Sequence, residues 1–235
     1  MMQTPDPWMS VQEQFSHAGI ASPLADRILR SCLHRDIPAR TNIQQVADAP
    51  GGMWCLVKGA LSVEMAPGMR DPQMGYLLLP PVWVGEGGII ADVPRSVGLS
   101  TTRRSVLLHL PVQRFFEIAK EDPLIWRWVA KVQKENFERS LRMTDALMVR
   151  SSDARIVAVL AQLGGLRRHY ADPPRVLDIT QAQLAAIANV SRSILNPVLR
   201  KLASKGVVEL GQRTITITDP EALRVAFQRS DLTEH

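Results

Sequence analysis

Between residues 180 and 218 the sequence sets out groups suited to gripping and reading a nucleic acid. Thr180-Gln181-Ala182-Gln183 has the form of a capping box: a Thr N-cap, then a Gln three residues later that returns the bond. Leu184, Ile187 and Ala188 fall on one face of the helix that follows, and Ala185 supplies a small residue for close helix packing. Asn189 tolerates the left-handed backbone of a tight turn. Val190 fills that turn and Ser191 stands at the next N-cap. Leu195, Val198, Leu199 and Leu202 then recur at i, i+3, i+4 and i+7. Two short helices, a tight turn and one shared apolar core make a helix-turn-helix. Lys205–Gly206 stops the second helix, and Val207–Leu210 and Thr214–Thr218 alternate about Gly211 as a hairpin, the wing.

In such a fold the second helix enters the major groove and its N-terminal residues meet base edges. Arg192, Ser193 and Asn196 occupy its first exposed positions. Arg suits a bidentate contact with guanine, Asn with adenine, and Ser either base. Thr180, Gln181, Ser191, Arg200 and Lys201 are placed to hold phosphates and fix the register. Pro197 breaks the local rule, because inside a helix it removes a backbone bond at roughly 3 kcal/mol. A kink, or a regular helix beginning nearer Asn196, is the expected consequence.

Charge agrees with the motif. Residues 1–150 carry 17 basic and 15 acidic side chains, whereas 151–218 carry nine basic and four acidic, and 219–235 two against four. The positive excess therefore sits in the stretch that contains the helix-turn-helix, where it attracts phosphate backbones at long range.

The elements that must position this site run N-terminally from it. Ser151-Ser152-Asp153 offers three N-cap residues, a natural hinge. The helix after it turns Ile156, Val159, Leu160 and Leu163 to one side and stops at Gly164–Gly165. From Pro123 to about Arg150 there is neither Pro nor Gly, enough for a helix of roughly 40 Å. Trp126, Ala130, Phe137, Leu141 and Met148 make one stripe on it, and Ile125, Trp128 and Val132 a second. One face can cover its own domain while the other meets an identical helix as a short coiled coil.

Residues 23–33 read as a short amphipathic helix. From about 37 to 110 the candidate strands are Met53–Val57, Ala60–Met65, Gly75–Leu79, Ile89–Ile90, Val97–Ser100 and Ser105–Leu110. Turn signals lie between them at Gly51–Gly52, Lys58–Gly59, Pro67–Gly68, Pro80–Pro81 and Val93–Pro94. That texture predicts a small antiparallel barrel or sandwich.

The order of barrel, long helix, hinge and winged helix-turn-helix resembles the Crp/Fnr family over most of the chain. The resemblance is carried by ITQAQLAAIANVSRSILNPVLRKLASKGVVEL and by VGEGGIIADVPRSVGLSTT at 84–102. The second segment is similar to the phosphate-binding cassette of cyclic-nucleotide-binding domains, with Gly85, Glu86, Arg95 and Ser96 at the matching positions and Pro94 before the Arg. The resemblance implies backbone N–H groups that cradle a phosphate, an Arg that neutralises it and a carboxylate that accepts from a ribose hydroxyl. Val84 departs from a frequent aromatic and Gly87 from a frequent aliphatic residue. The polar pair that meets the purine falls on Ser140–Leu141, so only Ser140 is retained. Cyclic AMP and cyclic GMP are the effectors implied.

Other chemistries lack their residues. An iron–sulfur sensor of this family needs four cysteines, and the chain has Cys32 and Cys55, which also make no disulfide framework. His17, His34, His109 and His169 show no ligand spacing for haem. Gly85-Glu86-Gly87-Gly88 is not a dinucleotide fingerprint, and no nucleophile–base set, P-loop or metal motif is present. With 46% apolar and 22% charged residues, no long apolar run and no signal-type N-terminus, the chain reads as a soluble cytoplasmic protein.

The expectation is an α+β protein in three parts. A sensory β-barrel domain of jelly-roll type spans 1–122, a dimerisation helix 123–150, and a winged helix-turn-helix 151–235. It regulates transcription, is not an enzyme, and has double-stranded DNA with a near-palindromic operator, a second copy of itself and RNA polymerase as partners. The competing class is a cyclic-nucleotide-responsive protein that acts on another protein rather than on DNA.

Overall fold

The computed structural model describes residues 7–66, 73–166 and 176–232. The Pro67–Gly68 turn and His169 lie outside them. The chain divides into two compact units, one of Met1–Gln73 and Leu78–Phe137, the other of Met74–Leu77 and Glu138–His235.

Two helices, α1 (Pro7–His17) and α2 (Ser22–Ser31), open the chain. Eight strands follow: β1 (Leu33–Ile37), β2 (Asn42–Gln44), β3 (Gly52–Lys58), β4 (Leu61–Met65), β5 (Gln73–Leu78), β6 (Val82–Val84), β7 (Gly98–Thr101) and β8 (Ser105–Pro111). They form two four-stranded sheets, ordered β1-β8-β3-β6 and β2-β7-β4-β5. The predicted barrel is thus an open pair of sheets, jelly-roll-like rather than closed.

Alternation divides β3 and β8 of the first sheet between two faces. Met53, Cys55, Val57, Leu108 and Leu110 join α1, α2, α4 (Val112–Glu121) and the start of α5 (Ile125–Met148) in one core. Phe15 stacks on Trp128 at 5.3 Å, and Trp83 meets Trp128 edge-on at 5.0 Å. The alternate positions Leu56 and Leu107, paired across β3 and β8 and fully buried, line the opposite face. Burial pushes the Cys32 thiol up to about 12 and raises that of Cys55 as well, so both stay protonated.

One expected strand is wrong. Ile89–Ile90 belongs to a short helix, α3 (Glu86–Ala91), which buries Ile89 and leaves Ile90 exposed. Two adjacent isoleucines read alike in either state, and the left-handed Gly85 at its N-cap (φ +98°) is what turns the chain into helix.

The long helix follows its two stripes. Ile125, Trp128 and Val132 are buried in the core, whereas Trp126, Phe137, Leu141 and Met148 are exposed. It spans Ile125–Met148, two residues inside the expected limits at either end.

In the second unit α6 (Ser152–Leu163) is capped by Ser151, whose hydroxyl accepts from the Ala154 amide. It leads through β9 (Val176–Leu177) to α7 (Gln181–Ile187), α8 (Arg192–Ser204), β10 (Val208–Leu210), β11 (Ile215–Ile217) and α9 (Pro220–Leu232). The three strands form one sheet, ordered β10-β11-β9, with β10 and β11 as the expected wing. Ile156, Val159, Leu160, Leu184, Leu195 and Leu199 are fully buried in this unit.

Candidate nucleic-acid interface and effector loop

Capping chemistry positions α8. The Thr180 hydroxyl accepts from the Gln183 amide at 3.1 Å, and the Gln183 side chain accepts from the Thr180 amide at 2.8 Å, so the capping box forms in full. Helix α7 is stopped by Asn189, just past its C-cap Ala188 and left-handed at φ +51°. The Val190 amide bonds the Ala185 carbonyl and the Asn189 amide that of Ala186, the two bonds of a Schellman motif. A second such motif ends α8, with left-handed Gly206 donating to the Ala203 carbonyl and Val207 to that of Leu202. The C-terminal ends of both helices are therefore fixed by local backbone bonds.

On α8 Leu195, Val198, Leu199 and Leu202 are buried, and Arg192, Ser193, Arg200 and Lys201 stand exposed. Ser191 sits at the N-cap, but its hydroxyl bonds the Ser193 hydroxyl at 2.7 Å instead of the backbone. The first N–H groups of the helix consequently lack a side-chain cap, and such a helix end favours an anion. Thr180 and Gln181 are partly exposed at the start of α7.

Two expectations change here. Pro197 neither breaks α8 nor delays it, since the helix is continuous from Arg192 to Ser204 with the proline on its exposed side. Asn196 is less open than expected: it is partly buried, and its Oδ1 is enclosed with no hydrogen-bond partner among the described residues.

Arg155 is a further residue of this unit that its position in the sequence did not single out. Its Nε donates to the Ala188 carbonyl at 2.9 Å, at the end of α7. Its Nη1 donates to the Val149 carbonyl at 2.9 Å and the Arg150 carbonyl at 3.3 Å, just past the end of α5. One guanidinium thus joins two helix C-termini, where the negative ends of the macrodipoles favour a cation. Its only sequence signal is an Arg placed within one turn of the hinge.

In the first unit the 85–96 loop brings Gly85, Glu86 and Arg95 together. Arg95 is buried; its Nη1 donates to the Gly85 carbonyl at 2.8 Å and its Nη2 to the Gly52 carbonyl at 2.5 Å. Burial lowers its pKa, an effect offset in part by Glu86 and Asp48. A Cβ at Gly85 would lie 2.7 Å from the Gly52 carbonyl oxygen and 2.9 Å from Arg95 Nη1, so close approach as well as positive φ requires glycine. Buried Glu86 accepts from Asn136 Nδ2 at 2.9 Å, and the same amide donates to the Trp83 carbonyl at 3.0 Å. Asn136, which the sequence did not flag, joins α5 to the loop. Ser96 is exposed, as is Ser140 in the second unit, and a Cβ at Gly87 would meet nothing within 4 Å. Beside the loop His109 stacks on Trp54 at 4.0 Å and bonds the Gly51 carbonyl at 3.0 Å.

Residues 154–226 match the Crp-like helix-turn-helix domain. By that domain the chain is a DNA-binding transcription regulator. Solved structures share the fold over most of the chain. It is similar to CLP, the c-di-GMP responsive global regulator of Xanthomonas campestris (TM-score 0.64, 21% identity, 85% of this chain and 100% of that one). FixK2 from Bradyrhizobium japonicum has a TM-score of 0.66 at 12% identity over 83% of this chain and 96% of that one. A Crp/Fnr family regulator from Thermus thermophilus has a TM-score of 0.62 at 20% identity over 83% and 98%. No curated protein sequence matches the chain. Among the described residues no helix is long and apolar enough to cross a membrane, and no group of three or more candidate metal ligands occurs.

Proposed function

We propose that this regulator binds a near-palindromic operator as a homodimer, with α8 of each copy in a major groove and α5 at the seam. Arg192 and Ser193 read bases, with Asn196 beside them. Thr180, Gln181, Ser191, Arg200 and Lys201 hold phosphates. The observation that carries this reading is the exposed face of α8, with Arg192, Ser193, Arg200 and Lys201 at its surface inside a Crp-like domain. Half-sites then lie about one helical turn apart, roughly 34 Å. In this reading the protein works in the cytoplasm, and RNA polymerase is its protein partner.

We further propose that a small anionic effector at the 85–96 loop sets the DNA affinity, with cyclic AMP and cyclic GMP as first ligands to test and cyclic di-GMP as the third. Gly85, Glu86, Arg95 and Ser96 would meet it. Two Arg95 donors are held by Gly85 and Gly52, which leaves three of its five N–H groups for a phosphate.

Electrophoretic shift at several salt concentrations, on sequences selected by the full-length protein, tests the DNA reading. Arg192→Ala should cost about 1–3 kcal/mol and relax one base position. Lys201→Ala should weaken all sequences alike and reduce the salt slope by about one. Unchanged sequence preference in Arg192→Ala overturns the assignment. Calorimetry with the three nucleotides tests the effector, and neither heat nor thermal shift at millimolar ligand rules them out.

A further inference from the structure

We infer that Ile194 and Pro197 form an apolar strip on α8 that recognises the 5-methyl group of thymine. The inference rests on α8 as the reading helix and adds to it a base preference that Arg192, Ser193 and Asn196 do not supply.

The strip is defined by helical arithmetic and exposure. Leu195, Val198, Leu199 and Leu202 fill the core side of α8. Ile194 and Pro197, at i and i+3, lie together on another side. Ile194 is 41% exposed and Pro197 is exposed too. A single exposed apolar residue needs no explanation. Here the second member carries a backbone penalty, because Pro197 has no N–H for the Ser193 carbonyl one turn before it. Nothing in the domain core repays that penalty, since the ring lies at the surface. The helix tolerates proline at a point where its side chain faces outward, within the first two turns that enter a groove.

The surroundings select the occupant. Ile194 and Pro197 are flanked along α8 by Arg192, Ser193, Arg200 and Lys201, all exposed. A partner that fits offers an apolar group set among phosphates and polar edges. In the major groove of DNA only thymine presents such a group, its C5-methyl, and aliphatic side chains pair with it.

Deoxyuridine differs from thymidine only by that methyl, which makes the test direct. An operator is first selected from random duplexes by the full-length protein, and each thymidine of one half-site is then replaced in turn by deoxyuridine. Wild type should lose about fourfold in affinity at one or two positions, the loss of one buried methyl-sized group. Ile194→Ala and Pro197→Ala should each lose sensitivity at one of those positions while keeping the wild-type salt dependence. Pro197→Ala restores a helix bond, so it should unfold at a higher temperature than wild type, and its altered preference cannot come from misfolding. An operator indifferent to deoxyuridine everywhere, or sensitivity that both variants retain, overturns the strip alone. Failure to select any sequence overturns the DNA-reading function and the strip with it.

Discussion

Arg95 sits between two backbone carbonyls, and this changes what its loss should do. Removing it leaves the part-buried Gly85 oxygen and the buried Gly52 oxygen without their donor, each worth about 1–3 kcal/mol when buried and unsatisfied. Arg95→Ala should therefore lower the thermal midpoint of the free protein even before any ligand is added. A variant as stable as wild type would show that water replaces the guanidinium. His109 gives a second measurement at this scale. Burial holds its pKa below the usual imidazole value, an effect countered by the Gly51 carbonyl and reinforced by Arg35 and Arg95. A depressed folded pKa contributes stability that is present above the unfolded value near 6.5 and is lost as pH falls through the folded one. Urea midpoints should hold from pH 8 to 7 and decline below about 6.5, and His109→Gln should flatten that decline. An equal acid loss in the variant would assign it to another group. The Gly85–Glu86–Arg95 spacing was legible because its members lie within one loop. Their partners were not, since Gly52 and Asn136 lie 43 and 50 residues away from Arg95 and Glu86 and meet them only through the tertiary fold.

Local rules served best for elements whose determinants are themselves local. The capping box at Thr180, the left-handed Asn189, the Leu195–Leu202 stripe and the Gly206 stop all appear as read, because each acts through bonds within a few residues. Strands β1, β2 and β6 escaped notice. LHRDI and NIQ carry little apolar alternation, and VWV lies beside a double proline. Pro197 misled in the other direction, because packing of Leu195, Val198 and Leu199 on one side outweighs one absent backbone bond on the other. Arg155 offers the test that belongs to elements. It joins the end of α5 to the end of α7 through three carbonyls, so it fixes the direction of the reading helix relative to α5 within the second unit. If α5 forms the dimer seam, that joint also sets the distance between two reading helices. Arg155→Ala should accept operators with half-sites moved by one or two base pairs, narrowing the wild-type preference for one spacing by about tenfold. The cost of three charge-assisted bonds, about 1.5–3 kcal/mol each, leaves room for such a loss. Arg155→Lys keeps the charge without the fork and should restore only part of the preference. Unaltered spacing dependence in the Ala variant would place the joint elsewhere.

For the molecule as a whole, the proposed dimer rests on the outer stripe of α5. Phe137 is 57% exposed, Leu141 51% and Met148 75%, whereas the opposite stripe is consumed by the chain's own core. An apolar row left open along a 24-residue helix is the geometry of half a coiled coil. A seam through Trp126 and Trp128 instead would be closed on one side, because Trp128 is 1% exposed and packs between Phe15 and Trp83. Phe137→Glu should then bury a carboxylate without a partner at the centre of the seam, a change that costs several kcal/mol in an apolar contact. In light scattering the variant should run as a monomer at concentrations where wild type is dimeric. Because Phe137 is exposed within one chain, the monomer should keep its circular dichroism and its thermal transition, which separates lost association from misfolding. Its specific DNA affinity should collapse to that of a single half-site, since two reading heads joined by one seam act at high effective concentration and one alone does not. Joining two variant chains by a long flexible linker should return part of that affinity without returning the helix contact. A Phe137→Glu protein that remains dimeric and binds its operator normally would move the seam off this stripe, and with it the spacing argument for Arg155.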